Sequence, residues 1–504
     1  MAGLASFGRL VAAGWTLARA DALLPREFDE LYPGGLQTAG RIVRVFAGRQ
    51  AKEGRPGERL ARSLERLGPV AIKLGQFLST RSDILGEQFA IDLAHLKDRL
   101  PPFDSAQARG CVEEGLARPI DELFTSFGEA VAGASLAQAH DATLKDGRHV
   151  AVKVLRPGIE RRVARDIDTL RLAAGLVSGL GPTARRLEPR AFAATVIRAL
   201  ELELDLRFEA AGGAELGEVM ERDGYMRAPK IIWDGVSKRV LTTEWALGMP
   251  LSDPAALEQP GTDRPTVATN LVRAFLAQAL DHGVFHGDLH EGNLFLSPPA
   301  ILTAVDYGIV GRLGANERRY LAQILYGLLT RDYRRVADIH FEAGYVPAGE
   351  DRDAFAQALR AVGEPVFGRT VRDVSMGRVL AQLFEITGMF NMRLRPELVL
   401  LQKTMATVEG VARRVDPDCD LWAAADPVVR RWVAREVSPG AIARDLAEDV
   451  RKALQGLARL AEGPASAAQV VVEPLPPSGD TAIAWFAAGA LVAGAAFLLA
   501  RLLT

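Results

Sequence analysis

Cysteine is scarce. The 504-residue chain has two, Cys111 and Cys419, far apart and without metal-ligand spacing. That argues against a cysteine-based metal or redox site and leaves two reduced packing thiols in a cytosolic domain. Net charge is scarce too: 61 Lys and Arg face 63 Asp and Glu, a balance of −2, so nothing in the bulk charge points to nucleic acid. No internal repeat is visible, and no acidic H-E-x-x-H pattern occurs. The N-terminus lacks the charged-then-apolar order of a signal peptide, because Arg9 and Arg19 break its apolar stretch. What the chain does have is 48% hydrophobic residues, enough for a sizeable core. At roughly 100–200 residues per domain, its length suggests two to four compact units.

Patterning divides the chain. Residues 1–65 read as a helical, basic-amphipathic region suited to touching a membrane or a lobe. Residues 66–115 hold "GPVAIKLGQFLSTRSDILG" and "LKDRLPPF", a helix and then a Pro-stopped turn. The texture changes at 116–155, where "ASLAQAHDATLKDGRHVAVKVL" predicts strand, hairpin turn at Lys145-Asp146-Gly147, strand. Helical periodicity returns over 160–222, and "KIIWDGVSKRVLTTEWALG" predicts two strands around a turn at Asp234-Gly235. From about 264 to 460 the chain reads as mostly helical, broken by "HGDLHEGNLF" and "ILTAVDYGIVGRLG".

At the far end, Thr481 to Ala500 runs twenty residues without a charge, after a Pro/Gly linker over 461–480. That is about the length a helix needs to cross ~30 Å of hydrocarbon. The expectation is a transmembrane helix over 481–501, with Gly489/Ala493 and Ala490/Gly494 giving small-xxx-small spacing. It would hold the chain at the cytoplasmic face of the inner membrane by a single-pass C-terminal anchor. A buried or interfacial helix is the alternative.

The breaks carry the chemistry. In "HGDLHEGNLF", Asp288 and Asn293 are five residues apart, and Asp306 opens "DYG" after the apolar run "ILTAV". Phosphoryl transfer asks for metal ions bridging the phosphates, a cation on the α/β phosphates and a carboxylate near the attacking oxygen. D-x4-N followed by strand-D-Y-G is a spacing that supplies the carboxylate and the metal-binding oxygens. Asp288 is the candidate that orients or deprotonates the nucleophile. Asn293 and Asp306 are candidate ligands of Mg2+, a hard cation that favours oxygen. His286 and His290 suit zinc only on a helix with a third ligand. Gly287 and Gly292 indicate a loop instead, so bracing of the backbone is the favoured reading for the two histidines.

Lys153 ends "VAVK" on the second strand of the hairpin, where it can reach the α/β phosphates if a glutamate holds it. Glu209 in "ELDLRFEAA" is the candidate partner, predicted to share one helix with Glu203 and Asp205. A kinase-type G-x-G-x-x-G loop is missing. Its place is taken by "AGASLAQ", residues 132–138, where Gly133 is the lone glycine. The alanines should restrict that loop and change how a nucleotide sits.

Together these residues resemble the UbiB/AarF family of atypical kinase-like proteins over about residues 60–420: "KLGQ" (Lys73, Gly75, Gln76), the alanine-rich loop, Lys153, "ELD" (Glu203, Asp205), Glu209, "HGDLHEGN" and "DYG". The resemblance implies an α+β, atypical protein-kinase-like bilobal fold with an N-terminal helical extension, to which the apolar C-terminus adds the transmembrane helix. The expected segments are an amphipathic region 1–65, the extension 66–115, an N lobe with a helical insertion 116–247, a mostly helical C lobe 248–460, the linker and the span.

The resemblance also implies that Lys73 and Gln76, neighbours on one helix face, fold over the active site and gate it. Glu203 and Asp205 would contact that extension, obstructing the groove where a protein kinase takes its peptide. Nucleotide contacts are expected from Ala132, Gly133, Ala134, Ser135, Lys153, Glu203, Asp205 and Glu244, with ATP (or ADP) and Mg2+ as cofactors. The implied function is a membrane-anchored Mg-ATP-dependent kinase or ATPase supporting ubiquinone biosynthesis. Its implied partners are membrane lipid and quinone-biosynthesis enzymes or a quinone precursor, with no nucleic acid. Two readings stand beside it. One is a small-molecule phosphotransferase of the aminoglycoside/choline kinase type, which shares the H-G-D-x-x-x-x-N loop but lacks the lysine–glutamine helix. The other is a non-catalytic nucleotide-binding scaffold of a quinone-synthesis complex. The chain departs from the family pattern twice: its loop reads Ala-Gly-Ala-Ser and not three alanines, which bears on ATP versus ADP, and one C-terminal span is evident where relatives often show two.

Overall fold

The computed structural model describes residues 2–22, 26, 40–48, 51, 53–79, 87–94, 96, 102–179, 189–367, 386, 389–392 and 396–436. The described residues form two compact units. One runs to Phe208 and includes 232–243; the other holds 209–231 and the described residues from Glu244 to Glu436.

The first unit opens with helices Ala2–Arg19 (α1), Pro56–Leu67 (α2), Pro69–Ser79 (α3) and Glu87–Ala94 (α4). Proline suits the first turn of α2, where its missing N–H orphans nothing. The Glu58 side chain accepts the Arg55 N–H at 3.0 Å and completes that start. Leu60, Leu64, Phe89, Leu93 and Leu96 share one core under these helices. Gly75 of "KLGQ" faces it: a Cβ there would run into the side chains of Leu96 and Leu64, so glycine lets α3 lie close.

Helices Ser105–Leu116 (α5) and Ile120–Leu123 (α6) lead into a four-stranded sheet. Its strands are Phe124–Gly133 (β1), Ala137–Leu144 (β2), His149–Leu155 (β3) and Val240–Glu244 (β4), in that order, the last reaching one residue into the other unit. β3 alternates: Val150, Val152 and Val154 bury against Cys111, Val112 and Phe124. Lys153 therefore sits on the opposite face, directly paired with Ala139, which in turn pairs with Ala132. The expected hairpin turn is present, with Gly147 at φ +85°, a conformation side chains avoid. Helices Ile159–Gly179 (α7) and Pro189–Glu203 (α8) follow. α1 docks on α7, where Arg9 Nε donates to Thr169 Oγ1 at 3.0 Å.

One strand expectation fails. In "KIIWDGVSKRVLTTEWALG" only β4 is a strand, because Trp233–Gly235 forms a tight 3-10 turn closed by Gly235 N–H on the Ile232 carbonyl at 2.8 Å. The turn leaves too short a run ahead of it for a second strand.

The helix Leu206–Asp223 (α9) begins in the first unit and lies mostly in the second. There the order continues with Met249–Pro250 (β5), Arg264–Leu276 (α10), a π-helical turn Ala277–His282, Val284–His286 (β6), Leu294–Ser297 (β7), Ile301–Ala304 (β8) and Val310–Arg312 (β9). The helices Ala315–Leu329 (α11), Tyr333–Glu342 (α12), Arg352–Phe367 (α13), Pro396–Val415 (α14) and Leu421–Glu436 (α15) complete it. The short strands make two small sheets, β5-β7-β8 and β6-β9, which brace the two loops that broke the helical pattern. Phe275, Phe285, Leu289, Tyr307, Met405 and Val408 meet in one core, so these loops and α14 are packed together.

The transmembrane element of the expected fold class does not stand. Among the described residues no helix is long and apolar enough to cross a membrane. α7, at 21 residues, opens with the charge-rich "IERRVARDIDTL". The localisation by a single-pass C-terminal anchor at the inner membrane is corrected with it. Residues 481–501, on which that expectation fell, lie outside the described residues.

Candidate active site

β6 delivers the chain into "HGDLHEGN" at His286, whose ring is fully buried. Its Nδ1 accepts the Asp288 N–H at 3.1 Å. The ring proton therefore sits on Nε2, which donates to the Val305 carbonyl at 3.2 Å. Burial holds the His286 imidazole below its usual pKa, and a second ring proton would collide with the Asp288 N–H. The neutral ring ties the start of one loop to the end of the other.

Asn293 strengthens the same frame. Its Nδ2 donates to the Asp288 carbonyl at 3.1 Å, and its own carbonyl accepts the Val305 N–H at 2.9 Å. The backbone thus brings Asp288, Asn293 and Asp306 to one place. The Asn293 amide nitrogen is engaged with the loop, so the carboxamide oxygen is the end left for a hard cation. Asp306 has φ +63°, a left-handed conformation uncommon outside glycine, and its Oδ1 accepts the Gly308 N–H at 3.3 Å. Such strain persists where the surroundings over-determine it, and it clusters at functional sites.

Tyr307, in the place of the usual phenylalanine, turns inward. Its hydroxyl donates to the Ala304 carbonyl at 2.6 Å, and its ring lies 5.4 Å from that of His286. Gly213 of α9 permits this packing, since a Cβ there would come 2.7 Å from the Tyr307 ring. Burial pushes the Tyr307 phenol up, and the Glu209 and Asp306 carboxylates add to the shift. Glu209, in the first turn of α9, is therefore within electrostatic reach of the "DYG" segment.

The second histidine also serves the backbone. His290 Nδ1 accepts the Gly292 N–H at 3.0 Å, while Nε2 stands 3.7 Å from Asp288 Oδ2. Among the described residues no group of three or more His, Cys, Asp or Glu side chains could hold a metal, so the histidine pair has no third zinc ligand there.

In the first unit, Lys73 Nζ lies 2.8 Å from Glu203 Oε1, joining the "KLGQ" helix to the end of α8. Gln76 is half-buried one turn further along α3. Asp205 does something else. It caps α9, accepting the Arg207 N–H at 3.2 Å and the Arg207 guanidinium at 2.6 and 2.8 Å. The arginine holds the Asp205 carboxyl below its usual range. The single helix expected through Glu203, Asp205 and Glu209 is thus two helices, because a short acidic side chain at 205 favours capping over continuation.

The alanine-rich turn is pinned to the sheet. Ala134 donates its N–H to the Ala137 carbonyl at 2.8 Å, Arg156 Nε donates to the Ala134 carbonyl at 3.0 Å, and Ser135 is buried. Lys153 is half-buried on β3, on the face that carries Ala132. Glu244 belongs to the second unit, where its carboxylate accepts the Lys230 N–H at 3.3 Å. Lys153 and Glu209 lie in different units.

Several positioning groups escaped the sequence reading. Gln138 Oε1 accepts the Phe103 N–H at 2.8 Å, and its Nε2 donates to the Phe103 carbonyl at 3.2 Å and to His140 Nε2 at 2.7 Å. Thr404 of α14 donates to the Gly287 carbonyl at 3.0 Å. Nothing in either local sequence signals these contacts.

The chain matches the ABC1 atypical kinase-like domain over residues 95–340 and the UbiB helical domain over residues 359–420. A Marinobacter nauticus protein named as a probable protein kinase UbiB is 42% identical over 395 residues, covering 77% of this chain and 72% of the relative. The chain belongs to the UbiB family of ABC1 atypical kinase-like proteins. A Pseudomonas putida UbiB relative with the same name is 40% identical over 402 residues, covering 79% of this chain and 74% of its own. Among solved structures, the Rv3197–erythromycin complex from Mycobacterium tuberculosis matches with a TM-score of 0.52 at 24% identity, over 72% of this chain and 93% of that one. That likeness concerns the fold, and it agrees with the kinase-like α+β architecture. Within this UbiB-family chain, Lys153, Glu209, Asp288, Asn293 and Asp306 fall in the kinase-like region, and Thr404 falls in the helical domain.

Proposed function

We propose that this UbiB-family chain is a Mg-ATP-dependent atypical kinase or ATPase that supports ubiquinone biosynthesis. The observation carrying the reading is the hydrogen-bonded frame that gathers Asp288, Asn293 and the strained Asp306. Such a frame holds oxygen ligands and a carboxylate in fixed relation, and phosphoryl transfer depends chiefly on positioning and charge. Asn293 and Asp306 are the residues that would hold magnesium, which neutralises phosphate charge when bound. Asp288 orients or deprotonates the attacking oxygen. Lys153, with Glu209 as its partner, takes the α/β phosphates, and the alanine-rich turn at Ala132, Gly133, Ala134 and Ser135 receives the nucleotide. Lys73 and Gln76 gate the site from the extension. Quinone-biosynthesis enzymes or a quinone precursor are the proposed partners, a reading supported by membership in the UbiB family.

The test is ATP turnover by the full chain across a magnesium titration, beside Asp306→Asn. Losing the carboxylate removes preorganised charge, so turnover should fall by about 100-fold or more. In a strain lacking the protein, the wild type should restore ubiquinone content and Asp306→Asn should not. Equal turnover in both proteins would sink the catalytic role. Equal quinone restoration would separate the pathway role from catalysis.

A further inference from the structure

The loop that carries the chemistry is gripped by a helix that lies outside the kinase-like region. We propose that Thr404 of α14 is a positioning residue for Asp288, holding the Gly287–Asp288 peptide against a flip. The inference rests on the catalytic role proposed for Asp288.

The geometry is specific. The Gly287–Asp288 peptide is fixed at both ends: its carbonyl accepts from Thr404 Oγ1 at 3.0 Å, and its N–H donates to His286 Nδ1 at 3.1 Å. Gly287 itself is held from the other side, its N–H on the Ile309 carbonyl at 2.8 Å. Glycine is required there, since a Cβ would stand 2.6 Å from Ile309 Cγ2 and 3.3 Å from Leu400 Cδ1. The same missing Cβ makes rotation about the Gly287 backbone cheap. The peptide that aims Asp288 therefore follows a residue with no side chain to restrict its rotation, and hydrogen bonds to Thr404 and His286 fix it. A flip would release both.

Thr404 suits the task. It is 1% exposed, and its hydroxyl also faces the Leu400 carbonyl at 2.9 Å. The hydroxyl has one proton, which the Leu400 and Gly287 carbonyls share, so the arm to Gly287, which the helix itself does not supply, is set by where α14 lies. α14 is immobilised by Met405, Val408, Val411 and Val415 in the core shared with Leu289 of the loop. Near its end, Arg414 pairs with the Glu291 carboxylate of the same loop and donates to the Leu251 carbonyl. The helical domain thus holds the loop on both sides of Asp288.

The experiment compares Thr404→Val, which keeps the shape and loses the hydroxyl, with Thr404→Ser, which keeps the hydroxyl. Each full chain is assayed for kcat, KM for ATP, melting temperature and exchange of the Asp288 amide proton, with Asp306→Asn alongside. A small displacement of a catalytic group can cost up to about 100-fold, so Thr404→Val should lose between ~10- and ~100-fold in kcat with KM nearly unchanged. Its Asp288 amide should exchange faster, and Thr404→Ser should restore both. A purely structural role would lower the melting temperature of Thr404→Val without this kcat-against-KM split, and that result overturns the inference. Turnover lost in Asp306→Asn but intact in Thr404→Val also overturns it, and leaves the catalytic reading standing. Turnover that survives Asp306→Asn defeats the catalytic reading itself. The amide then decides alone: equal protection in all three threonine-site proteins overturns the pin, and selective loss in Thr404→Val upholds it.

Discussion

Each unit contains a buried histidine that clamps a backbone, and the two are wired in opposite senses. His140 carries its proton on Nδ1, donating to the Gly128 carbonyl at 3.0 Å, and accepts at Nε2 from Gln138. His286 carries its proton on Nε2 and accepts at Nδ1 from the Asp288 N–H. Both rings are under 1% exposed, and burial lowers both pKa values. The first clamp fixes Phe103 to the sheet through the carboxamide of Gln138. The second fixes the peptide beside the proposed catalytic carboxylate. Similar energetics thus serve architecture in one unit and aim in the other.

The largest effect that could break this comparison is kinetic. Leucine at either position orphans two buried partners, so His140→Leu and His286→Leu should each lose roughly 2–6 kcal/mol in urea unfolding, at about 1–3 kcal/mol per unsatisfied group. Their turnover should diverge. His286→Leu frees the Asp288 peptide and should lose on the order of 100-fold in kcat, while His140→Leu should keep its rate within a factor of about three where it remains folded. Equal kinetic losses would show that both clamps are catalytic, or that neither is.

A smaller effect sharpens the comparison through pH. His140, His286 and His340 are all buried with lowered pKa values, the last donating from Nδ1 to the Val336 carbonyl at 2.7 Å. In the unfolded chain each titrates near ~6.5. Below that value the unfolded chain binds protons that the folded chain refuses, so stability falls as pH drops. Each histidine contributes a slope of up to ~1.4 kcal/mol per pH unit between its folded and unfolded pKa. Urea unfolding between pH 7.5 and 5 should show a steep loss, and replacing His340 with leucine should flatten it. An unchanged slope in that variant would mean that His340 accepts a proton in the folded state.

Features set by neighbouring residues were more legible in the sequence than contacts between distant ones. Asp288, Asn293 and Asp306 lie within twenty residues of one another, so spacing alone exposed them, as it did the hairpin at Gly147. Gln138 and Thr404 act on backbone atoms far away in the chain, and a backbone acceptor leaves no mark in a sequence. Asp205 illustrates a subtler limit. The sequence reading put it on one helix with Glu203 and Glu209, whereas its short side chain caps the next helix after the previous one has ended. The run "KIIW" has strand-like composition, but the 3-10 turn at Trp233 intervenes before it can pair at length. In each case a local backbone contact outweighed composition.

The smallest effect concerns the extension. The Lys73–Glu203 pair joins two helices in the first unit with side chains 12% and 20% exposed. In the second unit, Arg334 and Asp353 stand 2.8 Å apart on α12 and α13 with side chains 76% and 74% exposed. The distances match, so solvent is the variable that separates the pairs. Double-mutant cycles with Lys73→Met and Glu203→Gln, and with Arg334→Met and Asp353→Asn, should give coupling near 1 kcal/mol for the first and a few tenths for the second. Added salt should erase the second and only weaken the first, because screening acts mainly on exposed charges. Equal couplings would remove the ion pair as what fastens the "KLGQ" helix. The close approach at Gly75, against Leu64 and Leu96, would then be the contact that holds the extension in place.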